Sequence, residues 1–240
     1  MKIIAIDTAT EACSVALLNG DVRDGVFELC PQQHSQRILP MIDEVLKRND
    51  LKIGELDAIA FGRGPGSFTG VRIATGIVQG LALGTELPVL EISTLAAMAQ
   101  ENFERYGSLR SKVLIDARMG EVYFGDYFIK EGTALTLQEE AVLAPQESLK
   151  KYADIQNSGI SNQSIDRKST ALAGTGWEAY SEQTQFDSRV DKVKVLFPNA
   201  MYMLSLAKKE FELGRAKSVD DLAPVYLRDK VTWKKLPGKD

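Results

Sequence analysis

Ala58-Ile-Ala-Phe-Gly-Arg-Gly-Pro-Gly-Ser-Phe-Thr-Gly-Val-Arg-Ile-Ala74 carries more architecture than any other stretch of the chain. An apolar run at 58–61 meets glycines at 62, 64, 66 and 70, and a helical pattern begins at about Ser67. The spacing predicts a strand that turns sharply into a helix, with bare helix-start amides at the turn. Such a turn suits an anion, because unpaired N–H groups and the positive end of the helix dipole converge there. It matches no common phosphate fingerprint. The Gly-Lys-Ser/Thr of a P-loop is absent, and the glycines read G-x-G-x-x-x-G rather than G-x-G-x-x-G. The loop comes after two strands and a helix, and Glu91 is a poor ribose-binding acid, so a variant Rossmann turn fits badly.

Composition narrows the chemistry further. The chain has 240 residues, 44% hydrophobic and 26% charged, with room for two lobes or one large domain. A formal charge of −4 argues against a general nucleic-acid coat, so any RNA contact needs a local patch or a partner's surface. Two cysteines without a CxxC, and a single histidine, His34, exclude the usual zinc constellations. A carboxylate-only magnesium site stays open. A Ser-His-Asp triad would have to use His34, and Gly66-Ser67-Phe68 lacks the glycines of G-x-S-x-G. His34 precedes the first helix, where a capping or polar surface role is expected. No catalytic residue is assigned. The opening Met-Lys-Ile-Ile-Ala-Ile-Asp is too short for a signal-peptide core, and no run reaches the ~20 apolar residues of a membrane span. A cytoplasmic protein with reduced thiols is expected.

Working outward from the glycine loop, a repeat emerges. Residues 3–6 form a buried strand ending at Asp7, a polar turn follows, and Cys13–Leu18 returns as a strand. Asn19-Gly20-Asp21 makes a hairpin turn into Val22–Leu29. Val113–Ile115 likewise ends at Asp116, turns, and returns as Glu121–Ile129. Ala60-Phe-Gly62-Arg-Gly64 is matched by Leu172-Ala-Gly174-Thr-Gly176, and the Asp-to-Gly separations are 55 and 58 residues. Two related lobes explain this order, although any α/β chain can yield such pairs by chance. Helices are expected over Ser35–Arg48, with Pro40 in or near the first turn, over Ser67 or Phe68 to Leu83, from Ser93-Thr94 to Tyr106, and over Asn199–Leu213. Pro88–Ile92 reads as a strand and Asn157–Thr170 as a polar loop.

The second helix is physically odd. Gly76, Gly80 and Gly84 recur every four residues, each interior glycine costing roughly 1 kcal/mol relative to alanine. They line one side, where another backbone can approach. Val71, Ile73, Ala74, Ile77, Val78 and Leu81 make the remainder apolar, so it needs cover on more than one side. Either its own sheet and the first helix cover it, or part of both helices is open and forms a bundle with another subunit.

Ile6-Asp7-Thr8-Ala9-Thr10, the Gly62–Arg72 loop, Ile115-Asp116-Ala117-Arg118-Met119-Gly120-Glu121-Val122-Tyr123 and Pro224-Val-Tyr-Leu-Arg228 together resemble the TsaB (YeaZ) family. These are bacterial proteins of tRNA threonylcarbamoyladenosine biosynthesis. The resemblance spans nearly the whole chain. It implies an α/β, two-lobed actin-like ATPase fold (ASKHA, ribonuclease H-like), with a first lobe over 1–108 holding the dimerisation helices and glycine loop. The second lobe would span 109–240, its final segment packing back on the first. It implies a non-catalytic accessory subunit that binds and activates the threonylcarbamoyltransferase TsaD, helps recruit the ATPase TsaE, and pairs with itself when alone. TsaD carries an Asn-His-x-x-x-His metal motif where this chain has Ser93-Thr94-Leu-Ala-Ala-Met98, so that metal chemistry does not transfer.

The resemblance also implies site residues. Partner contacts are expected at Ile38, Met41, Ile42, Val45, Val71, Ile73, Ala74, Gly76, Ile77 and Gly80. Asp7, Thr8 and Thr10, with Ser14, occupy the place of a phosphate-facing hairpin, with Gly62, Gly64, Gly66 and Asp116 as further nucleotide or anion candidates. Alternatively, Thr8 and Thr10 satisfy the turn and Asp7 pairs with local N–H groups. No cofactor is expected in the isolated chain, with ATP and magnesium entering at the level of the complex. Arg63, Arg228, Trp233, Lys234 and Lys235 are candidate tRNA contacts, through phosphate and base stacking. Arg118, Glu121 and Tyr123 either line the inter-lobe cleft or, for Arg118 and Glu121, pair across their hairpin turn. The competing reading is a nucleotide-dependent phosphotransferase or ATPase of the same fold.

Overall fold

The structure is a computed structural model that describes residues 1–148, 170–184, 193–222 and 227. Its first sheet contains β1 (Lys2–Asp7), β2 (Ala12–Asn19), β3 (Val22–Leu29), β4 (Ala58–Gly62) and β5 (Val89–Ile92) in the order β3-β2-β1-β4-β5. The first three strands form an antiparallel meander, and β4 and β5 run parallel to β1. β1 is Ile-Ile-Ala-Ile because both its faces are covered, Ile3 and Ala5 on one side, Ile4 and Ile6 on the other.

A second sheet repeats the plan. It holds β6 (Arg110–Arg118), β7 (Glu121–Lys130), β8 (Thr133–Thr136), β9 (Ala141–Leu143) and β10 (Thr170–Ala173), ordered β10-β6-β7-β8 with β9 also on β7. An antiparallel meander again joins a parallel strand through its first member. β8-β7-β6-β10 therefore copies β3-β2-β1-β4. This is the two-lobed actin-like arrangement.

The helices that frame the sheets among the described residues are α1 (His34–Arg48), α2 (Phe68–Thr85), α3 (Thr94–Tyr106), the single turn α4 (Gly176–Ala179) and α5 (Ala200–Glu212). α1 and α2 cover one face of the first sheet, with Ile38, Met41, Val45, Ala74 and Val78 against Ile4, Ile6, Leu17 and Phe61. α3 and α5 lie between the two sheets, where Leu95, Met98, Met203 and Leu204 meet Ile3, Val113, Ile115 and Tyr127. A smaller core around Trp177 backs the second sheet. α5 follows the second sheet in sequence yet packs on β1, β2, β4 and β5, and Ser14 accepts its first amide, Ala200 N–H, at 2.9 Å. The return to the first sheet thus starts well before the last segment.

Helix starts follow the sequence chemistry. Ser67, Ser93 and Asn199 each accept an amide of the turn they open. Pro40 differs from expectation: it sits in the second turn of α1, beyond the tolerant first positions. It faces solvent, as does Gln36, so the carbonyl that loses its helical donor to Pro40 lies on the exposed side of the helix. The polar stretch 157–169 and the tail from Ala223, Leu227 excepted, lie outside the described residues.

Candidate functional site

The glycine loop presses directly on the β1–β2 turn. A Cβ on Gly66 would sit 2.3 Å from the Ala9 carbonyl oxygen, one on Gly70 2.1 Å from that of Thr8, and one on Gly62 1.9 Å from Asp7 Oδ2. Ser67 N–H donates to Ala9 O at 2.7 Å, and the Thr8 hydroxyl donates to Gly70 O at 2.7 Å. Asp7, Thr8, Gly62, Gly64 and Gly66 are all buried, and Thr10 nearly so. Gly66 and Gly70 serve backbone-to-backbone approach, and Gly62 makes room for the Asp7 carboxylate. Gly66, Thr10 and Asp116 also line the cleft beside the loop.

Asp7 is the electrostatic oddity of this region. Oδ1 accepts Ala9 N–H at 3.0 Å, whereas among the described residues Oδ2 has no hydrogen-bond partner of normal geometry. Complete burial raises its carboxyl from 3.8 to about 7, against the smaller opposing effects of the Ala9 amide and the Thr94 hydroxyl.

Beside the loop opens a cleft of about 550 Å³ between the two sheets' hairpin turns, lined by Thr10, Glu11, His34, Ser67, Asp116, Arg118 and Tyr123, among others. Asp116 accepts the Arg118 amide at 2.8 Å and the Tyr180 hydroxyl at 3.0 Å. The Arg118 guanidinium reaches Asp116 at 3.1 Å and crosses to Glu11 at 3.3 Å. Arg118 and Glu121 are backbone neighbours across the turn, but the arginine side chain points into this pair of carboxylates. His34 is the first residue of α1 and is buried rather than on the polar surface, with no partner for Nε2 among the described residues. Among the described residues no three His, Cys, Asp or Glu side chains converge as metal ligands.

α2 presents the other feature. Val71, Ala74, Val78 and Ala82 are buried, while Gly76, Gly80 and Gly84 face outward, with no described residue beyond their own stretch of helix backbone within 4 Å of a Cβ built on any of them. Half-buried Ile73 and Ile77 flank them, and Leu83 and Phe68 are 65% and 59% exposed. Arg72 stacks on the Phe68 ring, 3.1 Å from its centre. On α1, Ile38, Met41, Ile42 and Val45 are all core. Of the residues expected to meet a partner, only Ile73, Gly76, Ile77 and Gly80 lie where one can reach them, because Val71 and Ala74 are also buried.

Comparison with known proteins matches residues 25–236 to the family model of TsaD, tRNA N6-adenosine threonylcarbamoyltransferase. The tRNA threonylcarbamoyladenosine biosynthesis protein TsaB of Escherichia coli K12 is 45% identical over the full length of both chains. This chain belongs to the TsaB family. The TsaB protein of Haemophilus influenzae is 42% identical, covering 100% of this chain and 99% of its own. The crystal structure of YeaZ from Pseudomonas aeruginosa superposes with a TM-score of 0.82 at 39% identity, covering 94% of this chain and 99% of that one.

Within this TsaB-family chain, one cluster had no sequence signal. Glu140, between β8 and β9, accepts short hydrogen bonds from the Ser93 and Tyr127 hydroxyls and lies 3.5 Å from the Arg63 guanidinium. Arg63, expected to touch tRNA, is thus held by an acid. Ser93, at the position compared with a metal motif, caps α3. Arg228, Trp233, Lys234 and Lys235 lie outside the described residues.

Proposed function

We propose that this chain is the non-catalytic accessory subunit of tRNA threonylcarbamoyladenosine formation, binding and activating TsaD and completing a surface for TsaE. The observation that carries this reading is the outward face of α2, where no described residue stands over three glycines between Ile73, Ile77 and Leu83. An apolar, notched helix face that no described residue covers suits protein docking, and its small residues let a second helix come close. The match to the TsaD family model supports a partner of related fold, whose equivalent helix can meet this one face to face. Alone, the chain pairs with itself through the same surface. The packed glycine loop supports a chain that holds no nucleotide there by itself, with ATP, magnesium and tRNA entering through the cytoplasmic complex.

The test is tRNA modification with purified TsaD, TsaE, the threonylcarbamoyl donor and tRNA, with and without this chain. Activity that requires the chain, and is lost with Ile73→Glu while the variant stays folded, supports the reading. Activity indifferent to the chain contradicts it. Phosphotransfer by the lone protein would favour the enzymatic alternative.

A further inference from the structure

The docking helix does not begin freely; its entry loop is tied to three other elements through one carboxylate. Glu140 has a side chain only 10% exposed, a costly place for a charge unless its oxygens are occupied. Oε1 accepts the Ser93 and Tyr127 hydroxyls, and Oε2 faces Arg63 of the glycine loop at 3.5 Å. Ser93 simultaneously accepts Ala96 N–H at 3.2 Å as the cap of α3, and the next amide, Thr94 N–H, donates to Gly64 O at 3.0 Å. Tyr127 belongs to β7 and is buried between the sheets; burial foremost, then Glu140, holds its hydroxyl protonated and therefore a donor.

Gly125 is an independent sign that this cluster is built. A Cβ there would come within 2.5 Å of the Tyr127 ring, two residues along the same strand. A glycine inside a strand weakens it, and here its absent side chain gives the ring its place beside Glu140 and Ser93. The loop so held leads within a few residues into Phe68, where α2 starts.

Resting on the docking function proposed above, we infer that Glu140 is a positioning residue for the docking helix: its Arg63–Ser93–Tyr127 clamp couples the second sheet to the glycine loop and thereby sets the presentation of the α2 face. Glu140 touches no partner in this scheme. Its effect on binding is exerted through the loop, so removing it alters association without altering the apolar face itself.

Four full-length variants separate the possibilities: Glu140→Gln, Tyr127→Phe, the double variant combining them and, on the face itself, Gly80→Arg. Each is titrated against purified TsaD, and amide hydrogen exchange is read at residues 63–70 and in β1 and β4. The clamp predicts that Glu140→Gln and Tyr127→Phe each weaken association about 3- to 10-fold, a loss of roughly 0.7–1.4 kcal/mol. Exchange should quicken in the loop while β1 and β4 keep their protection, and the double variant should lose little more than either single one. Native-like association and loop exchange in both variants overturns the inference. If Glu140→Gln does not fold, Tyr127→Phe decides by the same two readings. Undiminished binding by Gly80→Arg refutes the docking face instead, and loop exchange then still judges the clamp.

Discussion

Asp7 is a buried carboxylate whose proton is held about three pH units above its usual range. A group of this kind binds its proton more tightly in the folded than in the unfolded chain. Its contribution is therefore full below the unfolded value of 3.8 and is lost as pH rises through about 7. The difference corresponds to an upper bound of about 4 kcal/mol. Asp7→Asn keeps an oxygen for Ala9 N–H and removes the charge. Urea unfolding across pH 4 to 8 should show the variant increasingly more stable than the native chain as pH rises, with the gap closing near pH 4. A pH-independent gap would dismiss the assignment. Using the difference matters, because Lys112, lowered by burial to about 7, acts with the opposite sign on both proteins.

Glycines of the loop and of the helix look alike in sequence but differ in surroundings, which yields opposite predictions. Gly66→Ala and Gly70→Ala drive a methyl group into backbone carbonyls of the β1–β2 turn and should each cost on the order of 3 kcal/mol. Their variants should unfold at lower urea, unlike a substitution at an exposed helical glycine. Spacing revealed that these positions matter, but not which neighbour each one meets. Bare amides at a helix start suggest an anion cradle from the sequence alone. Only packing shows how closely the turn from β1 approaches the loop at Gly66 and Gly70.

At the level of the element, α2 was legible almost completely. Its strand entry, Ser67 cap and glycine period all follow from local chemistry, and the helix runs Phe68–Thr85. α1 was legible as a helix but not in its role. Its stripe of Ile38, Met41, Ile42 and Val45 has the same periodicity whether it faces a sheet or a partner, and it faces the sheet. The docking surface we propose is thereby narrowed to Ile73, Gly76, Ile77, Gly80 and the exposed Leu83 nearby. A charge at Ile73 should abolish association. Ile38→Glu should instead unfold the chain, since it places a carboxylate in the core. Sedimentation and circular dichroism on the two variants distinguish these outcomes, and a folded, associating Ile73→Glu would contradict the narrowed surface.

For the whole molecule, the Asp-turn-strand repeat and the paired Gly-x-Gly turns anticipated two sheets of one topology. What they could not convey is the layer shared between those sheets. α5 returns from beyond the second sheet to seal the first, and Glu140 crosses to the glycine loop. Contacts between residues so far apart leave no periodic trace. They also make the lobes interdependent. Truncation after Ala173 removes α5 and should expose Ile3, Ala5 and Leu90, giving an aggregating fragment rather than a stable first lobe. A monodisperse, cooperatively unfolding fragment would show that the first sheet does not need α5.

Gly80→Ala offers the most direct measurement of the proposed docking face, because no described residue beyond its own stretch of helix backbone lies within 4 Å of the added methyl group. In an open helix interior the substitution should stabilise the isolated chain by about 1 kcal/mol. If the glycine exists to admit a second helix, the same variant must bind TsaD more weakly and support less tRNA modification. A higher Tm together with weakened binding is the predicted result. A higher Tm with native or tighter binding would contradict the docking role of α2.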